Sequence, residues 1–87
     1  MAPSLDDIRT RPRTRGEARR TLLKERGITL AIIARRLGRD LSVVSRVNSG
    51  QRRSQAIEEE IARQLELSMA DAFPEWYSDE APPAAAP

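Results

Sequence analysis

The sequence predicts an all-α fold, a small bundle of four to five helices. Three observations carry that prediction. Apolar residues recur at helical spacing in short segments: Leu30, Ile33, Ala34 and Leu37 fall at i, i+3, i+4 and i+7, and Ile57, Ile61, Ala62 and Leu65 repeat the stripe further on. Glycines and capping residues punctuate those segments. Gly27 and Gly38 stand where helices should stop, and Thr29, Asp40 and Ser54 stand where they should start. The chain has 87 residues and no cysteine, so it holds one small domain whose core is barely sufficient without staples.

Residues 1–14 hold two prolines and little apolar content, and no stable element is expected there beyond a helical turn over residues 4–8, with Ser4 as cap. Residues 1–15 read as a flexible basic arm in which Arg9, Arg11, Arg13 and Arg15 alternate with other residues. Such spacing suits a phosphate backbone or a minor groove, and equally a solubilising leader. The domain proper is expected over residues 16–77. Its first helix spans 16–26, with Ala18, Leu22 and Leu23 on the core face.

Residues 29–50, TLAIIARRLGRDLSVVSRVNSG, read as two short helices joined by a tight turn. Thr29 caps the first, Gly38 ends it, and Asp40 caps the second, over residues 41–48. Leu41, Val44 and Val47 are expected to face inward; Ser42, Val43, Ser45, Arg46 and Ser49 make up the other face. Small Ala34 permits a close helix crossing, Gly38 makes the turn, and Val44 locks the pair. This is the logic of a helix-turn-helix, whose second helix lies in the major groove of DNA. A plain helical hairpin has the same apolar pattern, but a merely solvated face mixes both charge signs. Here no acidic residue occurs between Leu41 and Ser49. Ile32 lies off the apolar stripe, suited either to packing on another helix or to a protein contact.

Ser54 is expected to cap a further helix to about Glu66, with the Glu58-Glu59-Glu60 run as its solvated start. Ser68 to Asp71 fits a capping box for one more turn. Phe73, Trp76 and Tyr77 are all the aromatics of the chain, read as a plug over the core in preference to a partner patch. Residues 78–87 are rich in alanine and proline and read as a disordered tail.

Charge sharpens the functional expectation. The net charge is +2, yet residues 1–53 hold fourteen basic and five acidic residues, and residues 54–87 hold one and eight. Such asymmetry suggests a polyanion-binding side and an acidic side. There is no histidine, no cysteine and no glycine-rich phosphate loop, so no enzyme, cofactor or metal site is expected. No apolar run approaches the roughly 20 residues of a membrane span, so no membrane partner is expected, nor is a small-molecule substrate.

Residues 29–50 resemble the helix-turn-helix of lambda-repressor-like phage regulators. The wider order of segments is similar to the Ner-like regulators of transposable phages: GITLAIIARRLG, VVSRVNSG, IEEEIARQLEL and a closing FPEWY. The resemblance covers residues 16–77 and implies an all-helical fold and transcriptional control, usually repression; the absence of cysteine and histidine suggests an intracellular protein, and a cytoplasmic, nucleoid-associated place of action is expected. It puts Leu41, Ser42, Ser45 and Arg46 at base-facing positions, to which the outward pattern adds Val43 and Ser49. Phosphate contacts are expected from Thr29, Arg35, Arg36, Arg39, Arg52 and Arg53. Arg39 departs from the family, which has an apolar residue after the glycine. The expected partner is double-stranded DNA, with two copies per site, because one helix makes too few base contacts alone. The competing expectation is a protein-interaction module, such as an antitoxin or anti-repressor, working through the acidic helix and the aromatic end.

Overall fold

The computed structural model describes residues 5–10 and 14–77. Among these the structure is all-helical, with seven helices: α1 (Leu5–Thr10), α2 (Arg15–Glu25), α3 (Leu30–Leu37), α4 (Leu41–Asn48), α5 (Gln55–Leu65), α6 (Met69–Ala72) and α7 (Pro74–Tyr77). The four longer helices, α2 to α5, make the bundle, and the short ones close it. Leu23 from α2, Leu30, Ile33 and Ala34 from α3, Val44 and Val47 from α4, and Ile57, Ile61, Ala62 and Leu65 from α5 form one buried core. Ala72 and Phe73 complete it. Phe73 is fully buried, so the aromatic end is a plug as far as this ring is concerned, while Trp76 stays 38% exposed.

The α3–α4 corner is built as its residues dictate. The Thr29 side chain accepts from the Ile32 N–H at 3.2 Å, satisfying a free donor of the first turn. Gly38 sits in the left-handed region at φ 63°, and the Arg39 N–H returns to the Ala34 carbonyl at 2.9 Å. Ala34 is buried where α3 and α4 pack together. At the start of α4 the Asp40 backbone is extended, and its carbonyl accepts from Val43 and Val44. Its side chain makes no capping bond, contrary to the expected role.

Four expectations are corrected. Within the arm expected over residues 1–15, residues 5–10 form α1, a longer helix than the expected turn over residues 4–8, and Ile8 is fully buried where α1 packs on α2 and α6. A six-residue helix is marginal on propensity alone, so its packing on α2 and α6 supplies the support. Arg9 lies in α1, and Arg15 opens α2, its Nε donating to the Ile8 carbonyl at 2.5 Å. Arg11, Arg13 and the expected tail of residues 78–87 lie outside the described residues.

Leu41 does not face inward but is 49% exposed, because Val44, Val47 and Asn48 take the buried stripe of α4. Val43, expected outside, packs partly against the core. The glutamate run is not simply solvated either. Glu58 and Glu60 are buried on different sides of α5, Glu58 against Arg53 and Glu60 between Arg36 and Arg63.

Two buried polar anchors set the position of α4. Arg19 of α2 is fully buried, and its Nε donates to the Asn48 carbonyl at 3.0 Å. Its Nη1 donates to the Ala72 carbonyl at 2.7 Å, and its Nη2 pairs with Glu75 at 2.8 Å. The guanidinium also lies 4.1 Å from the centre of the Phe73 ring. Burial pulls the Arg19 pKa below its ordinary value, against the opposing bond and charge of Glu75. Asn48 supplies the second anchor, donating from Nδ2 to the Gly16 carbonyl at 2.8 Å. Gly16 permits that approach: a Cβ there would lie 2.9 Å from the Ser49 Cα.

Candidate nucleic-acid interface

With Val44, Val47 and Asn48 turned inward, the opposite side of α4 presents Leu41, Ser42, Arg46 and Ser49 as exposed residues and Ser45 half-buried. The Ser49 hydroxyl is spent on the Arg46 carbonyl at 3.1 Å, so it closes the helix end. Among the described residues, the side chains of Ser42, Ser45 and Arg46 have no hydrogen-bond or ion-pair partner. They therefore offer a compact face of donors and acceptors, with one cation and no carboxylate. Val43 is half-buried and packs against the core, which turns it away from the expected base-facing side.

The surrounding cations divide into two groups. Arg35, Arg39 and Arg52 are exposed and make no ion pair among the described residues. Arg36 approaches Glu60 at 3.9 Å while remaining half exposed. Arg53 is committed elsewhere. Its Nε pairs with Glu58 at 3.1 Å, its Nη2 donates to the Tyr77 hydroxyl at 3.1 Å, and its guanidinium lies 4.4 Å from the Trp76 ring centre. A cation already paired and stacked releases less on meeting a phosphate, so Arg52 is the freer member of the expected clamp. Thr29 uses its hydroxyl as the α3 cap.

The Glu58 cluster explains the closing aromatics. Burial pushes the Glu58 carboxyl up, but the hydrogen bonds from Tyr77, Arg53 and the Ser54 N–H outweigh it and hold the pKa below its ordinary value. Tyr77 donates to Glu58 Oε1 at 2.5 Å, and this bond raises the phenol above its ordinary value. Glu58 also takes over the capping of α5. The Ser54 side chain makes no cap bond, and Glu58 Oε2 accepts the Ser54 N–H at 3.1 Å instead. Together these bonds tie the loop after α4 and the end of α7 to α5, so they are structural.

Beside the α4 face lies a recess of about 350 Å³ that sequence reasoning missed. Ile28, Leu30, Ala31 and Leu41 give it an apolar lining. Thr29 and Ser45 add hydroxyls, and Arg20 and Lys24 of α2 stand as its cations. The signal was present as a basic i, i+4 pair on α2, but spacing alone does not show which neighbour that pair faces.

Among the described residues no group of acidic side chains is arranged to hold a metal ion, and no helix is long and apolar enough to cross a membrane. Comparison with protein-family models, with curated proteins and with solved structures finds no match to this chain.

Proposed function

We propose that this chain is a sequence-specific regulator of transcription that binds double-stranded DNA, a repressor of the phage or mobile-element type, with α3 and α4 as a helix-turn-helix and α4 in the major groove. The observation that carries the reading is the outward side of α4. It is free of acid from Leu41 to Ser49, exposes Ser42 and Arg46, and is accompanied by the unpaired cations Arg35, Arg39 and Arg52. Short hydroxyls and an arginine suit base edges, whereas the flanking arginines suit phosphates. The Thr29 end of α3 supplies free backbone N–H groups to one more phosphate. In this reading two copies bind one site, since the base contacts of a single α4 are few.

The alternative use of the acidic helix and aromatic end as a protein contact has less to draw on. Glu58, Glu60 and Phe73 are buried, and Tyr77 is bonded to Glu58. The test is selection of bound duplexes from a randomised pool, followed by titration against the selected duplex, a random duplex and single-stranded RNA at several salt concentrations. The expected result is enrichment of one motif and binding that weakens steeply with salt. Failure to enrich any motif, with equal binding to RNA, would refute the proposal.

A further inference from the structure

The recess between α2, α3 and α4 has a composition that the bundle itself does not need. Leu41 is large, apolar and 49% exposed at the first position of α4, and it lines the recess together with Ile28, Leu30 and Ala31, so it is part of an apolar concavity and not an isolated exposed side chain. It shares the recess with Ala31, with Ser45 one turn further along α4, and with Arg20 and Lys24 across on α2. Among the described residues no carboxylate lines the recess, and neither Arg20 nor Lys24 has an ion-pair partner. An apolar lining with two uncompensated cations fits an occupant that is apolar at one point and anionic beside it.

Duplex DNA offers that combination in one place. The thymine C5-methyl is the one apolar group that base pairs present in the major groove, and phosphates border the groove on both sides. We infer that this recess is a specificity subsite: Leu41, with Ala31 beside it, receives the methyl group of a thymine, and Arg20 and Lys24 hold phosphate on the strand that crosses α2. Ser45 lies next to Leu41 and offers a hydroxyl to an adjacent base edge. The inference rests on the DNA-binding reading above and adds to it a named base and two phosphate contacts on a helix outside the α3–α4 pair.

The test uses the full chain and the duplex selected for it. Each thymine of that duplex is replaced in turn by deoxyuridine, which removes only the methyl. One replacement per half-site should weaken binding roughly fourfold, the loss expected for one methyl-sized group no longer buried. Leu41→Ala should bind the thymine and uracil duplexes equally, while Leu41→Met keeps the discrimination. Because Leu41 is half exposed, both variants should melt like the parent. The double substitution Arg20→Gln, Lys24→Gln should preserve the thymine preference and flatten the slope of log affinity against log salt by up to about 1.8 per bound copy. A motif-selective, salt-dependent protein indifferent to every uracil replacement would overturn this inference and leave the DNA-binding reading standing. So would a Leu41→Ala variant that still discriminates. An unchanged salt slope in the double variant would remove Arg20 and Lys24 from the subsite. If no duplex is enriched at all, both readings fall together.

Discussion

Arg19 is the side chain whose loss should be felt most widely. It is fully buried, and its five-donor fork is shared among Asn48 at the end of α4, Ala72 at the end of α6 and Glu75 in α7. Arg19→Met keeps length and apolar bulk but leaves the Glu75 carboxylate without its partner and two backbone carbonyls without donors. Removing one partner of a buried ion pair costs about 3–5 kcal/mol. Each buried carbonyl left unpaired costs roughly 1–3 kcal/mol more if water cannot reach it. These losses overlap because the groups are neighbours, so a total near 3–5 kcal/mol is expected. At roughly 0.05–0.15 kcal/mol per residue, a chain of this length has only about 4–13 kcal/mol to lose.

The assay is urea unfolding followed by circular dichroism. Arg19→Met should unfold at much lower urea, and Arg19→Lys should also lose stability, because an ammonium cannot reproduce the planar fork. Adding Glu75→Met to Arg19→Met should restore part of the loss by removing the stranded carboxylate. A single Arg19→Met variant with a midpoint within error of the parent would show that the guanidinium does not brace α4.

Other substitutions test separate parts of the structure. Gly16→Ala should destabilise by about 1–3 kcal/mol in the same assay, because its Cβ would lie 2.9 Å from the Ser49 Cα; at an open helical position the same change would stabilise. Ile8→Ala should cost about 2–5 kcal/mol as a cavity substitution, and a melt unchanged from the parent would show that α1 does not brace the core. Arg46→Ala should lose on the order of 1–3 kcal/mol of binding to the selected duplex while keeping most binding to random duplex; equal losses on both would make Arg46 a phosphate contact. Glu58 has a lowered folded pKa, so its contribution to stability is present above its ordinary value near 4.5 and is lost as pH falls through the folded value. Tyr77 has a raised one, so its share is present below about pH 10 and is lost as pH rises further. Glu58→Gln should flatten the acid limb of the stability profile, and an acid limb identical to the parent's would refute this role.

The parts legible in the sequence were those governed by local rules. The α3–α4 corner was legible because Ala34, Gly38 and Val44 each answer a requirement met within a few residues: a close crossing, a left-handed turn and a buried stripe at helical spacing. Thr29 and Ser68 were legible as caps for the same reason, since each bonds an N–H three residues on. What only the tertiary structure decided involves charge and contact across long separations. Arg19 reads as a surface arginine on a charged helix, and its burial depends on acceptors 29, 53 and 56 residues away. Glu58 reads as the solvated start of α5 until Arg53 and Tyr77 close on it. Leu41 reads as core by its spacing from Val44, but spacing along one helix does not show whether a neighbouring element covers its first turn. Periodicity reports which residues share a face; whether that face is roofed, and by which polar partner, is settled by the packing of elements remote in the chain.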